Sequence, residues 1–264
     1  MSLMTALSHR LDRTVVIQAS RATLFRFFTD QARWATWWGA GSTIDARPGG
    51  EMRIRYPDGT EVSGEVIELQ APDRIVFSYG YASGKPIPPG SSRVTIRLEP
   101  HGAGTRLYLS HEFAEASVRD DHVHGWRYQL ALFGNVVADE VNAGAARSVD
   151  AWFSSWSEPN AGLRQQALSE VADRDVRVRD RFALIDGLAD LVDHITAGQR
   201  FMPGLRMERR GEIRHCQGTA LVDWVGLGTD GQERFSGTNV FVFGATGQIE
   251  AVTGIWAPPG HRST

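Results

Sequence analysis

Asp120–Glu140, DDHVHGWRYQLALFGNVVADE, decides how the first half of this chain folds. Trp126, Leu130, Phe133 and Val137 recur at helical spacing, so one face of a long helix is apolar. Asp120 and Asp121 stand at its predicted start, where carboxylates suit the positive end of the helix dipole. Ahead of this helix the sequence alternates as strands do. Glu51–Tyr56, Val62–Leu69, Arg74–Tyr81, Arg93–Leu98 and Thr105–Phe113 each place apolar side chains at every second position. Pro57-Asp58-Gly59 and His101-Gly102-Ala103-Gly104 mark turns between them. Thr14–Gln18 reads as a first strand. Ser20 and Asp30 read as caps of two short helices, one carrying Leu24, Phe25, Phe27 and Phe28, the other Trp34, Trp37 and Trp38. The expected class is α+β: a curved antiparallel sheet gripped by a long helix.

After residue 140 the pattern restarts. Residues 141–148, VNAGAARS, read as a linker or as helix. Three helical segments follow: Val149–Trp156, one capped by Asn160 running through Leu163, Ala167, Leu168 and Val171, and one capped by Asp186 over Gly187–Thr196, with Gly198 as its stop signal. Val176–Arg179 reads as a strand fragment. Leu205–His215, Thr219–Gly226, Glu233–Phe243 and Gln248–Trp256 read as longer strands. The expected organisation is a domain at 1–140, a linker at 141–148 and a second domain at 149–264, each lined with apolar side chains around a hollow.

Composition narrows the chemistry. The chain has 264 residues, 42% hydrophobic and 22% charged, as ordinary globular domains do. A net charge of -3 gives no basic footprint for nucleic acid. No apolar run is long enough to span a bilayer, and Ser8, His9 and Arg10 break the N-terminal apolar stretch before it resembles a leader. Cys216 is alone, so no internal disulfide forms and a cytoplasmic location is expected. Lys85 is the one lysine among 28 basic residues and lies in a Gly/Pro-rich loop, which argues against Schiff-base chemistry. That loop, Gly80–Ser92, reads as a lid or as a mobile segment. His122 and His124 stand two apart on a helix and do not face one metal. No metal motif, phosphate loop or cofactor motif is read.

Several motifs carry a resemblance. VVIQASRATLFRFFTD at 15–30, Pro48-Gly49-Gly50-Glu51, EVIELQAPDRIVFSY at 65–79 and His124-Gly125-Trp126 in the long helix resemble the START-like superfamily. Within it they are most similar to the family named after the activator of the Hsp-ninety ATPase. The resemblance covers roughly residues 10–140 and implies a helix-grip fold, with an apolar small molecule bound between sheet and helix. Trp37, Tyr79, Tyr81, His111 and Trp126 are its candidate pocket residues. Arg53 and Arg55 share one strand face, which is solvated in most such strands. A chaperone partner is not expected, because the additional domain of the eukaryotic activator is not seen.

The second half resembles the SnoaL-like branch of the cone-shaped nuclear-transport-factor-like fold. DRDVRVRD at 173–180, Gly187, Trp224 before Thr229-Asp230-Gly231-Gln232, GTNVFVF at 237–243 and GQIEAVTGIW at 247–256 carry it. It implies a cone-shaped α+β barrel around an apolar funnel, shared by ketosteroid isomerase and polyketide cyclases, and a homodimer through the sheet face as one arrangement. Asp180 then falls where a base would stand and Asn239 where an oxyanion donor would. Trp152 replaces the expected tyrosine; an indole N–H donates but relays no proton. The alternative for Asp180 is a surface aspartate paired with Arg179 or Arg181. Trp224 and Thr253 are further candidate ligand contacts, with Glu250 and His215 as acidic and imidazole options. Simple alternation puts Ile249, Ala251 and Thr253 on one face of the last strand. Binding without reaction, proton-transfer catalysis and an interaction role all remain open at this level.

Overall fold

The computed structural model describes residues 6–257. Residues 1–5, with which the leader reading begins, and 258–264, which close the expected second domain, lie outside them. The chain divides into two compact units between Ala138 and Asp139.

The first unit is built on seven strands: β1 (His9–Ile17), β2 (Thr43–Ile44), β3 (Glu51–Arg55), β4 (Glu61–Gln70), β5 (Arg74–Tyr81), β6 (Ser92–His101) and β7 (Gly104–Phe113). Their order is β1-β7-β6-β5-β4-β3-β2, antiparallel throughout. Helices α1 (Arg21–Arg26) and α2 (Gln31–Trp38) start where their caps predict. Ser20 Oγ accepts from Thr23 N–H at 3.1 Å and Asp30 Oδ1 from Arg33 N–H at 2.9 Å.

The long helix α3 spans Ala116–Val141, so it begins a turn before Asp120. Its predicted apolar face is its buried face: Trp126, Leu130, Phe133 and Val137 are all covered. Phe133 sits 5.8, 5.1 and 4.8 Å, ring to ring, from Phe27, Phe28 and Trp37. Burying each such side chain contributes about 1.5–3 kcal/mol. The Gly80–Ser92 loop is not a free lid. It folds back onto β5, where Tyr81 N–H donates to Ile87 O at 2.9 Å and Ile87 is buried.

The residues read as a linker, 141–148, contain the end of α3, a turn at 142–144 and the first residues of α4 (Ala145–Ser155). The second unit continues with α5 (Ala161–Val171), β8 (Ala172–Arg179), β9 (Leu184–Asp186), α6 (Leu188–Phe201), β10 (Arg206–Cys216), β11 (Thr219–Leu227), β12 (Glu233–Phe243) and β13 (Ile249–Trp256). Its sheet runs β10-β11-β12-β13-β8-β9, with only β13 and β8 parallel. The sheet stays open, so the expected barrel does not close. One edge is β9, three residues long, which offers no ladder for closure. Helices α4 and α6 instead cover one face, packing Trp152, Phe153, Leu191 and Ile195 with Val178, Val222, Phe241 and Val252 in one core.

Three sequence expectations shift here. Asp186 does not cap α6: its carboxylate pairs with Arg179 at 2.7 Å, and Gly187, at φ 99°, takes the cap position. Gly198 does not stop the helix, which runs on to Phe201. On α5, Leu163 is exposed while Arg164 is fully buried, the reverse of what side-chain polarity predicts.

Candidate functional site

A cavity of about 1270 Å³ opens in the second unit, lined by α4, α6 and the sheet face that carries Trp224, Asn239 and Val252. Ring contacts build one wall. Trp256 lies 5.2 Å from Trp224, 4.9 Å from Phe235 and 5.1 Å from Phe182, centroid to centroid. Phe182, Phe201 and Met202 line the same cavity yet are themselves exposed.

Asp180 and Asn239 both line this cavity. Asp180 follows the last residue of β8. Its Oδ1 accepts the Phe182 N–H at 2.6 Å and its own N–H donates to Ala183 O at 3.0 Å, a tight turn that fixes the carboxylate. Neither neighbouring arginine pairs with it: Arg179 goes to Asp186, and the Arg181 guanidinium lies over the Phe182 ring at 5.5 Å. Asn239 faces inward from β12 and is 9% exposed. Its cross-strand partner on β13 is Gly254. A methyl group at Gly254 would stand 3.1 Å from Asn239 Oδ1 and 3.7 Å from Asp180 Oδ2, so the two polar groups flank one point.

Of the other candidates, Trp152 and Trp224 also line the cavity and are buried. Thr253 does not. It is exposed on the opposite sheet face, while Val252, Gly254 and Trp256 line the cavity. Glu250 and His215 do not line it either. The face assignment of Ile249 also changes. The ladders of β13 slip at Glu250, and this bulge puts Ile249 on the buried side with Val252. Sequence reading missed His194 and Gln199, which line the cavity from α6. Their signal was the stripe Leu191, Ile195, Gly198, Met202 at helical spacing, hidden by reading Gly198 as a stop.

The candidates of the first unit are packed against one another. Trp37 is 2% exposed and donates its indole N–H to Phe27 O at 3.2 Å. Trp126 Nε1–H donates to His111 Nδ1 at 2.9 Å. The proton of His111 then sits on Nε2, which donates to Ser92 Oγ at 2.8 Å, and Ser92 passes its own hydrogen to Tyr79 O at 2.8 Å. Tyr79 and Tyr81 do share a neighbourhood, 5.9 Å apart, and the Tyr81 hydroxyl meets His122 Nε2 at 3.2 Å. Burial, and then the neighbouring His122, hold His111 well below the usual imidazole range. Burial also pushes Tyr56, bonded to Tyr79 at 3.3 Å, up to about 12. These groups form a neutral, hydrogen-bonded core. Arg53 and Arg55 are exposed and pair with Glu51 and Glu61. Among the described residues, no group of three His, Cys, Asp or Glu stands ready for a metal, and no helix is long and apolar enough to cross a membrane.

Residues 18–138 match the family model described as Activator of Hsp90 ATPase homolog 1-like protein. A comparison with curated proteins finds no match. Among solved structures, a SnoaL-like family protein from Agrobacterium tumefaciens is 19% identical over 43% of this chain and 97% of its own, with a TM-score of 0.41. CalU16 from Micromonospora echinospora is 26% identical over 47% of this chain and 73% of its own, at TM-score 0.41. The Aha1 dimer from Colwellia psychrerythraea is 15% identical over 46% of this chain and 90% of its own, also at 0.41. The packing of seven strands on α3 and the family match coincide: residues 18–138 are an Activator of Hsp90 ATPase homolog 1-like domain, of START-like fold.

Proposed function

We propose that the second unit binds a flat, largely apolar small molecule in its cavity, with Asp180 and Asn239 as the polar contacts. The observation that carries this reading is that both side chains reach one aromatic-walled cavity of about 1270 Å³. Ordinary ligand pockets hold about 300–1,000 Å³, apolar with a few convergent polar groups, and this one is of that kind and somewhat larger. In the first unit Trp37, Tyr79, His111 and Trp126 are buried, with only Tyr81 half-buried, so the first unit is not the preferred site.

Gly198 supplies the test. It lines the cavity from α6, and a side chain built there meets nothing within 4 Å. Phenylalanine at this position starts in open space and takes up part of the cavity, and a helix interior favours it over glycine. Gly198→Phe is expected to weaken binding of anilinonaphthalene sulfonate by at least about tenfold, followed by dye fluorescence, with the circular dichroism spectrum unchanged. Dye binding equal to that of the unsubstituted chain removes the cavity from consideration.

A second reading is favoured by the closeness of Asp180 Oδ2 and Asn239 to one point. In it Asp180 takes a proton next to a carbonyl and the Asn239 amide donates to the enolate oxygen, an isomerase-, cyclase- or dehydratase-type step. Proton exchange of α-tetralone into heavy water, read by NMR, separates it from binding alone. Catalysed exchange that falls roughly 100-fold or more in Asp180→Asn supports proton transfer. No acceleration by the unsubstituted chain leaves binding as the function.

A further inference from the structure

We infer that the mouth of the second unit's cavity docks on an anionic lipid surface, lying on the bilayer without crossing it. This concerns what the mouth faces and goes beyond the cavity reading above. Phe182, Phe201 and Met202 line the cavity, yet they are 67%, 85% and 42% exposed. One exposed apolar side chain is ordinary, whereas three large ones around one opening mark an interaction surface. The ladders set them at one end of the sheet. Arg206 stands opposite Leu227, Leu227 opposite Glu233, Gly237 opposite Trp256 and Thr253 opposite Arg179. Because β13 and β8 are parallel, Trp256 lies level with Phe182, and the two rings are 5.1 Å apart. Phe201 and Met202 lead into β10 from that same end.

Each of the two phenylalanines follows an arginine: Arg181-Phe182 in the turn after β8, and Arg200-Phe201 at the end of α6. Both arginines are exposed, and neither meets a carboxylate among the described residues. The Arg181 guanidinium lies over the Phe182 ring at 5.5 Å. The neighbouring charges are matched: Arg210 with Glu233 at 3.0 Å, Arg234 with Asp230 at 2.8 Å, and Arg206 with Glu208 at 3.9 Å. Asp180 is half-buried, with Oδ1 held by the Phe182 N–H. The exposed charges left without a partner are therefore positive, on a chain whose net charge is -3. An aromatic ring beside an arginine suits the boundary of a bilayer. The ring enters the acyl edge while the guanidinium stays with the lipid phosphates. An anionic leaflet attracts each such arginine further. A second copy set mouth to mouth would bring the unpaired arginines of both chains together, which favours the lipid surface over self-association. No helix among the described residues is long and apolar enough to cross a membrane, so the contact is peripheral.

The test floats the full chain with vesicles of phosphatidylcholine alone, or with about a quarter phosphatidylglycerol. The expected result is binding to the anionic vesicles at least about fivefold tighter than to the neutral ones, weakening as salt is raised. Arg181→Gln with Arg200→Gln should lower affinity for anionic vesicles by about 25-fold. Phe201→Ser should lower it by about tenfold. These side chains are exposed, so the circular dichroism spectrum should not change. Tyr128→Ser, at an exposed position on α3, should leave flotation as it is. Flotation that survives all the rim substitutions, or that is equal for both vesicles, overturns the proposal. Dye binding on the same protein keeps the two readings apart. Dye bound without vesicle binding overturns the docking surface alone, and vesicles bound without dye uphold it and remove the cavity reading. A dimer in light scattering that Phe201→Ser dissolves, with no vesicle binding, gives the rim to a second copy and overturns the lipid assignment.

Discussion

Arg164→Met is expected to destabilise the second unit by about 3–5 kcal/mol, because it removes the donors that several oxygens around α5 and α6 depend on, at about 1–3 kcal/mol for each one left unsatisfied. Arg164 is fully buried on α5. Its guanidinium has five donors, and five bonds use them. Nε donates to Glu158 O (3.2 Å), Nη1 to Val192 O (3.2 Å) and Thr196 Oγ1 (2.7 Å), and Nη2 to Pro159 O (3.4 Å) and Gln199 Oε1 (3.1 Å). All the acceptors are neutral oxygens, so carbonyl dipoles solvate the charge in place of a carboxylate. Gln199 in turn donates to Trp156 O and Glu158 O at 2.9 and 3.0 Å, which ties α6 to the connection between α4 and α5. Methionine matches the length and supplies no donor, so Pro159 O, Thr196 Oγ1 and Gln199 Oε1 lose the bond they accept, while Glu158 O keeps Gln199 and Val192 O keeps the Thr196 hydroxyl. Because Trp156 and Gln199 also line the cavity, dye binding should fall together with stability. Urea denaturation measures the loss. A change below about 1 kcal/mol would show that the network carries no such weight.

The second large effect is a pH dependence in the first unit. His111 is 0% exposed and sits between the Trp126 indole and Ser92, using one nitrogen as acceptor and the other as donor. Burial, with His122 adding to it, lowers its folded pKa well below the ordinary 6.5. The unfolded chain therefore takes up a proton as pH falls through about 6.5, while the folded unit does not. Stability is complete above that pH and drops on acidification, by up to about 1.4 kcal/mol per pH unit for His111. His122 is shifted the same way, again by burial first, and adds to the slope. Hydrogen exchange of the α3 amides, corrected for its intrinsic pH dependence, reads this directly. His111→Gln, which keeps a donor and an acceptor but cannot titrate, should flatten the slope at some cost in overall stability. Protection of α3 that stays constant from pH 7 to pH 5 would contradict the neutral-core account.

The elements that were legible in the sequence are those with strong local signals. The α3 face of Trp126, Leu130, Phe133 and Val137 was visible because helical periodicity and burial are the same fact seen twice. Ser20 and Asp30 were visible as caps because a short side chain reaches its own backbone without help from the rest of the fold. Asp180 and Asn239 were nominated by resemblance alone; strand position gave no reason to bring residues 59 apart in the sequence to one wall. The burial of Arg164 was not legible, since nothing within α5 reveals that oxygens from α6 and the preceding loop surround it.

The sequence by itself determined the two rounds of strands and helices, the long apolar helix and the absence of any disulfide, because each depends on spacing or composition over a few neighbouring residues. Only the tertiary structure decided which side chains face empty space. The aromatic residues of the first unit became packed core, those of the second became a cavity wall, and one bulged residue on β13 settled which of its neighbours face inward. The reason is physical: a hollow is defined by atoms brought together from distant segments, and a shift of one residue in a strand register turns a side chain from one face to the other.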